Sequence, residues 1–116
     1  MHEMSLIAEM IEKLNEIKTK NQLKSITDVH LSIGEISGVD FSLFLSSFEL
    51  YVSNTEWKNT QLHLSSQAWT IKCPRCGLVD KVVDWNTQCK NCLLDETITT
   101  AGKDFIISQI EGESYV

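Results

Sequence analysis

Nowhere does this chain stay apolar for the roughly 20 residues that a membrane-spanning helix needs, and the N-terminus has neither a basic start nor an apolar run. Glu3, Glu9 and Glu12 interrupt that segment, so a secretory leader is not expected and the cytoplasm is the expected compartment. Basic charge is also scarce. Ten Lys and Arg stand against sixteen Asp and Glu, for a net charge of −6, with no cationic run. Nucleic-acid binding draws much of its affinity from neutralising phosphates, so this balance argues against a nucleic-acid partner. Also missing are a phosphate-binding glycine loop, a nucleophile–base constellation, an internal repeat and a low-complexity tract, which counts against an enzyme and against a solenoid. What remains is a chain of 116 residues, 42% hydrophobic, enough for one ordinary domain or two small ones.

Helical spacing recurs from Ser5 to about Asn21, where Leu6, Ile7, Met10, Ile11, Leu14 and Ile17 share a face. Ser5 suits the N-cap, and Lys18 and Lys20 suit the negative end of the helix dipole. Residues 26–35 alternate instead, with Val29, Leu31 and Ile33 on one side and His30 and Ser32 on the other, the pattern of a strand with one buried face. Gly34 and Gly38 permit a turn. Asp40 is placed to cap a second helix running to about Ser53, with Phe41, Phe44, Leu45, Phe48, Tyr51 and Val52 as its apolar face. A further alternating stretch runs from Leu62 through Leu64, Trp69 and Ile71, and a last strand from Phe105 to Ile110, with Gly102 as a turn before it. The expected fold class is α+β: two helices packed on a small sheet, with an inserted zinc-ribbon-like module. The expected division is 1–70 plus 99–116 as the α+β domain and 71–98 as the insert.

All four cysteines fall in that insert, as Cys73-x-x-Cys76, twelve residues, then Cys89-x-x-Cys92. Disulfides are disfavoured in the cytoplasm, so the thiols need another role. Each pair can turn both sulfurs onto one metal, and two pairs complete a tetrahedron. Structural zinc is the favoured occupant, with iron in a rubredoxin-like site and a redox dithiol as alternatives. Four thiolates leave no position for water, so the centre would be closed and non-catalytic. So short a segment buries little of its own, although Val79, Val82, Val83 and Trp85 offer a small apolar cluster, and metal binding would supply much of its folding free energy. Gly77 follows the first knuckle, where the backbone conformation suits glycine; Leu93 stands in that place in the second.

The other metal-binding signal is at the very start. His2 is bulky, which favours retention of Met1. A free Met1 amine, the His2 backbone nitrogen and the His2 imidazole would then close adjacent chelate rings, a planar nitrogen set that suits Ni(II) or Cu(II). Glu3 adds a carboxylate. Asp40 has two readings, helix cap or axial ligand, and the cap is favoured. His30 and His63 read as side chains on the solvated faces of their strands.

The opening Met1-His2-Glu3-Met4-Ser5-Leu6, the internal Ile33-Gly34-Glu35-Ile36-Ser37 and the late four-cysteine module together resemble the HypA/HybF family of hydrogenase maturation (nickel insertion) proteins. The likeness covers essentially the whole chain. It implies a nickel metallochaperone rather than an enzyme, with His2 as the key nickel ligand and Glu3 beside it. It also implies structural zinc on Cys73, Cys76, Cys89 and Cys92. The partners implied are a nickel-handling maturation GTPase, the large subunit of a nickel–iron hydrogenase and, in some bacteria, urease maturation proteins; neither nucleic acid nor membrane is among them. Many relatives carry glycine where this chain has Leu93, a departure expected to change loop geometry rather than the metal. The competing reading is a zinc-ribbon module that binds protein or nucleic acid and has no nickel role.

Overall fold

In a computed structural model, which describes residues 3–115, the elements run α1 (Glu3–Lys20), β1 (Leu23–Gly34), α2 (Phe41–Val52), β2 (Gln61–Gln67), β3 (Thr70–Lys72), β4 (Val79–Lys81), β5 (Ile98–Ala101) and β6 (Phe105–Ser114). This is an α+β fold with two three-stranded sheets, ordered β2-β1-β6 and β4-β3-β5. Among the described residues no helix is long and apolar enough to cross a membrane. The chain divides into two compact units. One takes in the chain up to Leu31, Gly38–Leu64 and the chain from Ile107; the other takes in Ser32–Ser37 and Ser65–Ile106.

In the first unit α1 packs on α2. The core holds Ile7, Met10 and Leu14 of α1, Val29 and Leu31 of β1, and Phe44, Phe48 and Val52 of α2, all nearly or fully excluded from solvent. Helix α1 starts at Glu3, two residues before Ser5, so Ser5 lies within the first turn and Glu3 puts its carboxylate at the positive end of the dipole. Lys18 and Lys20 occupy the last turn, and Gln22, at φ 53, lets the chain leave the helix in the left-handed conformation. The apolar face of α2 is narrower than the sequence suggests. Phe44, Phe48 and Val52, four residues apart, are buried, while Leu45 and Tyr51 are exposed, because a 12-residue helix presents only one stripe to its neighbour.

The stretch expected to run from Leu62 to Ile71 is two strands, parted at Ala68 and Trp69. Strand β3 is the centre of the smaller sheet. It pairs antiparallel with β4 (Thr70↔Lys81, Ile71↔Asp80, Lys72↔Val79) and with β5 (Lys72↔Ile98, Ile71↔Thr99, Thr70↔Ala101), with a register irregularity between Thr70 and Ile71. Val79 and Val83 are exposed, and Trp85 points largely into solvent. The expected apolar cluster around Val82 is therefore absent; the buried side chains here are Ile71, Cys73 and Cys89. Gly34 opens a turn, its carbonyl accepting Ser37 N–H at 3.0 Å, and is also a close contact. A β-carbon there would lie 2.0 Å from the Gly102 carbonyl oxygen. The bare backbone instead donates from Gly34 N–H to Asp104 O (2.8 Å), and Ile36 N–H reaches Gly102 O (2.8 Å). Gly102 and Gly38 do turn in the left-handed region, at φ 112 and 83.

Candidate metal centre

The first cysteine of each pair is buried, whereas the second is more accessible: Cys73 and Cys89 are almost inaccessible, Cys92 is half-buried and Cys76 exposed. The two knuckles repeat one hydrogen-bond scheme. Gly77 N–H donates to Cys73 O at 2.9 Å and Leu93 N–H to Cys89 O at 2.8 Å. Cys73 N–H reaches Leu78 O and Cys89 N–H reaches Leu94 O, each at 2.9 Å. The backbone N–H of Cys76 points at Cys73 Sγ (3.5 Å), and that of Cys92 at Cys89 Sγ (3.3 Å), so each turn presents a donor to a sulfur that would carry charge. Leu93 takes φ 59, close to the φ 79 of Gly77. The leucine thus takes up the left-handed backbone of the glycine in the first knuckle, closed by the same hydrogen bonds.

All four sulfurs lie within 4.8 Å of one another, the one such cluster of three or more His, Cys, Asp or Glu donors among the described residues. Cys76 Sγ and Cys89 Sγ are 3.6 Å apart. Zinc held tetrahedrally at about 2.3 Å from each sulfur separates its ligands by about 3.8 Å, near the Cys76–Cys89 spacing, and the four-thiol donor set suits that ion. Without metal the thiols share charge unequally. The Leu78 N–H stabilises the Cys76 thiolate and lowers its pKa from 9.0 to about 6, while the Cys92 thiol, hydrogen-bonded to Cys76, keeps its proton up to about 12. Around the cage, Lys90 pairs with Asp80 at 3.1 Å and holds its carboxyl below the usual range, and Gln88 Nε2 donates to Leu93 O (3.0 Å) and Asp95 Oδ1 (3.2 Å).

Of the expected nickel ligands, Met1 and His2 lie outside the described residues. Glu3 is the first residue of α1 and half-buried. Asp40 caps α2: its backbone is extended (φ −87, ψ 118), Oδ1 accepts the Leu43 N–H at 3.0 Å, and its carbonyl accepts Phe44 N–H at 2.9 Å. Such a cap stabilises a helix by about 1 kcal/mol.

His30 and His63 are not simply solvated. Their rings stack at 4.5 Å and 17°, His63 Nε2 meets Asp28 Oδ1 at 2.8 Å, and His30 Nε2 lies 3.4 Å from Glu111 Oε1. The His63 hydrogen bond is the main reason that the Asp28 carboxyl is held below its ordinary value. Asp28 and His30 are two apart on one strand and therefore share a face, a signal the sequence carried; their pairing with a distant strand had no local trace.

The architecture and the whole length have counterparts. The family model described as "Hydrogenase/urease nickel incorporation, metallochaperone, hypA" matches residues 1–112. The hydrogenase maturation factor HypA of Aquifex aeolicus is 28% identical over 113 residues, covering 97% of this chain and 98% of that protein. That of Helicobacter hepaticus is 29% identical, covering 96% of each. The solution structure of the Ni metallochaperone HypA from Helicobacter pylori superposes with a TM-score of 0.74 at 29% identity, covering 98% of this chain and 99% of that one. A match over nearly the full length, on the same fold, with the four cysteines gathered as one cage, places the chain in the HypA family of hydrogenase maturation factors, metallochaperones rather than enzymes.

Proposed function

We propose that this protein carries Ni(II) at its N-terminus and delivers it to the large subunit of a nickel–iron hydrogenase, through a nickel-handling GTPase, in the cytoplasm. Urease maturation proteins are a second destination of the same cargo. The observation that carries this reading is the family match, which runs from residue 1 and so includes the His2-Glu3 pair. The Met1 amine, the His2 amide nitrogen and the His2 imidazole close fused chelate rings, and Glu3 supplies a carboxylate. A carrier has to release what it binds, and a site at a chain end leaves one side of the metal open to an acceptor. The net charge of −6 favours approach of a dication.

The four-cysteine cage serves a different purpose. Cys73, Cys76, Cys89 and Cys92 hold one structural zinc, whose four thiolates exclude a fifth ligand and so keep the centre out of nickel exchange. The zinc supplies folding free energy to the segment 71–98, and the helices and the longer sheet carry the nickel end.

Nickel and zinc titration of untagged protein with His2→Ala tests the reading. Nickel binding should be lost, with zinc content and Tm unchanged. A variant that binds nickel at wild-type affinity would sink the N-terminal site. A two-residue extension before Met1 turns the amine into an amide, whose proton nickel must displace, and should weaken binding at least tenfold, about 1.4 kcal/mol.

A further inference from the structure

We propose that the recess lined by Trp69, Trp85, Glu35 and Asp84 receives an arginine side chain of a partner protein. Its outer wall is built at a conformational cost. Asn86 N–H donates to Val83 O at 3.1 Å, Val83 and Asn86 form an antiparallel bridge, and Asp84 and Trp85 between them sit at φ 52 and 62. Two left-handed residues in a closed four-residue turn make a type I′ hairpin, whose central pair is ordinarily Asn-Gly or Asp-Gly, since a β-carbon is crowded there. A tryptophan is poorly suited to the glycine position, and this one is 80% exposed, so burial does not offset the strain. Strain joined to an exposed aromatic points to contact with something else.

The inner wall is fixed. Trp69 donates its backbone N–H to Glu35 Oε2 (3.1 Å) and its indole Nε1–H to Thr99 Oγ1 (3.0 Å), and its carbonyl accepts Val82 N–H (2.9 Å). Gly102 packs so close that a β-carbon there would stand 2.6 Å from Trp69 Cα. The Trp85 ring meets this fixed indole edge to face, 5.6 Å away at 73°. Beside this pair opens a recess of about 250 Å³, lined by Glu35, Ile36, Trp69, Val82, Asp84 and Trp85.

Two indoles and two carboxylates define the occupant. Aromatic faces attract cations, and a guanidinium adds planar stacking and several donors for carboxylate oxygens. A phosphate group would be repelled by Glu35 and Asp84, which excludes nucleic acid and anionic lipid. An apolar group would strip water from those carboxylates with no return. The volume falls below the range for small-molecule sites, about 300–1,000 Å³, and suits one side chain presented by a protein surface. The inference stands apart from where nickel binds.

The test uses zinc-loaded full-length protein titrated with the blocked peptide Gly-Arg-Gly, with its neutral citrulline counterpart and with Gly-Lys-Gly, following the tryptophan indole N–H resonances. Saturable shifts at both indoles are expected with Kd on the order of 1–10 mM, and binding at least about fivefold weaker for citrulline and for lysine. Trp85→Gly restores the favoured Asp-Gly turn, so Tm should hold or rise while arginine binding drops at least fivefold; a merely structural tryptophan would behave oppositely. Asp84→Asn, tolerated at a left-handed position, should weaken binding and its salt dependence. No saturable shift up to about 50 mM arginine peptide, equal binding of citrulline or lysine, or unchanged binding by the Trp85→Gly protein would each overturn the proposal.

Discussion

Leu93 repeats the backbone of Gly77: the two residues sit at φ 59 and 79, and their N–H groups close the same bond onto Cys89 O and Cys73 O. A leucine pays for that conformation where the glycine does not. The left-handed region costs a residue with a β-carbon about 1–2 kcal/mol. Glycine loses more chain entropy on folding, about 0.5–1 kcal/mol. Leu93→Gly should therefore leave stability within about 1 kcal/mol of the parent or slightly above it. Leu93→Val, β-branched at positive φ, should lower stability and speed zinc loss to a chelator. Competition with a chromogenic chelator, alongside Tm, reads both. A Leu93→Val protein that holds zinc as long as the parent would show that the knuckle backbone is not what constrains Leu93.

How much of this was legible beforehand follows from element length. The periodicity of α1 and the alternation of β1 span enough residues to average out exceptions, and Ile7, Met10, Leu14, Val29, Leu31 and Ile33 are buried as the pattern implies. Strands β3 and β4 have three residues each, too short for a period of two to stand out from chance. The sheet they form with β5 was accordingly not visible. Trp85 was misplaced for a different reason. Hydrophobicity assigned it to a cluster, but the Asp84–Trp85 turn carries it outward, and turn type is set by backbone φ that the side-chain pattern does not encode. The cysteine spacing, by contrast, was sufficient to bring four sulfurs together in expectation, because a Cys-x-x-Cys knuckle is a local structure. The two histidines escaped notice as a pair since β1 and β2 are joined through α2, and register between distant strands leaves no local signature.

The unequal thiols give the cage a pH signature. Cys76 is lowered to about 6 and Cys92 raised to about 12, both from 9.0. At neutral pH, Cys76 is already ionised and zinc displaces no proton from it, whereas the Cys92 proton has to leave. Below about 6 Cys76 is protonated too. Zinc uptake should therefore release protons at pH 7, and zinc affinity should fall more steeply with each pH unit once the pH drops below about 6. For the metal-free fold the two groups act in opposite directions. The lowered Cys76 contributes stability that is present above pH 9 and lost as pH falls through about 6; the raised Cys92 contributes stability present below pH 9 and lost as pH rises towards 12. Calorimetry in buffers of different ionisation enthalpy, with zinc competition across pH 5–8, measures the released protons. A pH-independent affinity across that window would contradict the assignment of thiolate ligands.

Gly34 and Gly38 separate two ways in which a glycine is required. A β-carbon on Gly38 meets nothing within 4 Å, but the backbone stands at φ 83, so Gly38→Ala should cost about 1 kcal/mol from conformation alone. Gly34 has no such strain, yet its β-carbon would sit 2.0 Å from Gly102 O, 2.1 Å from Gly102 C and 2.5 Å from Lys103 N. All three are backbone atoms, so no side chain can rotate out of the way. The chain must part there, which also breaks Gly34 N–H to Asp104 O and Ile36 N–H to Gly102 O. Overpacking alone costs about 1–3 kcal/mol, and each hydrogen bond lost adds roughly 1 kcal/mol. Gly34→Ala should thus destabilise by at least about 3 kcal/mol, well beyond Gly38→Ala. Displacing Gly102 also shifts its contact with Trp69, so Trp69 fluorescence should change in the Gly34→Ala protein and stay constant in the Gly38→Ala protein. Urea unfolding of the two variants decides it. Equal losses, or a larger loss at Gly38, would mean that the close approach of Gly34 to Gly102 is not what holds this part of the chain together.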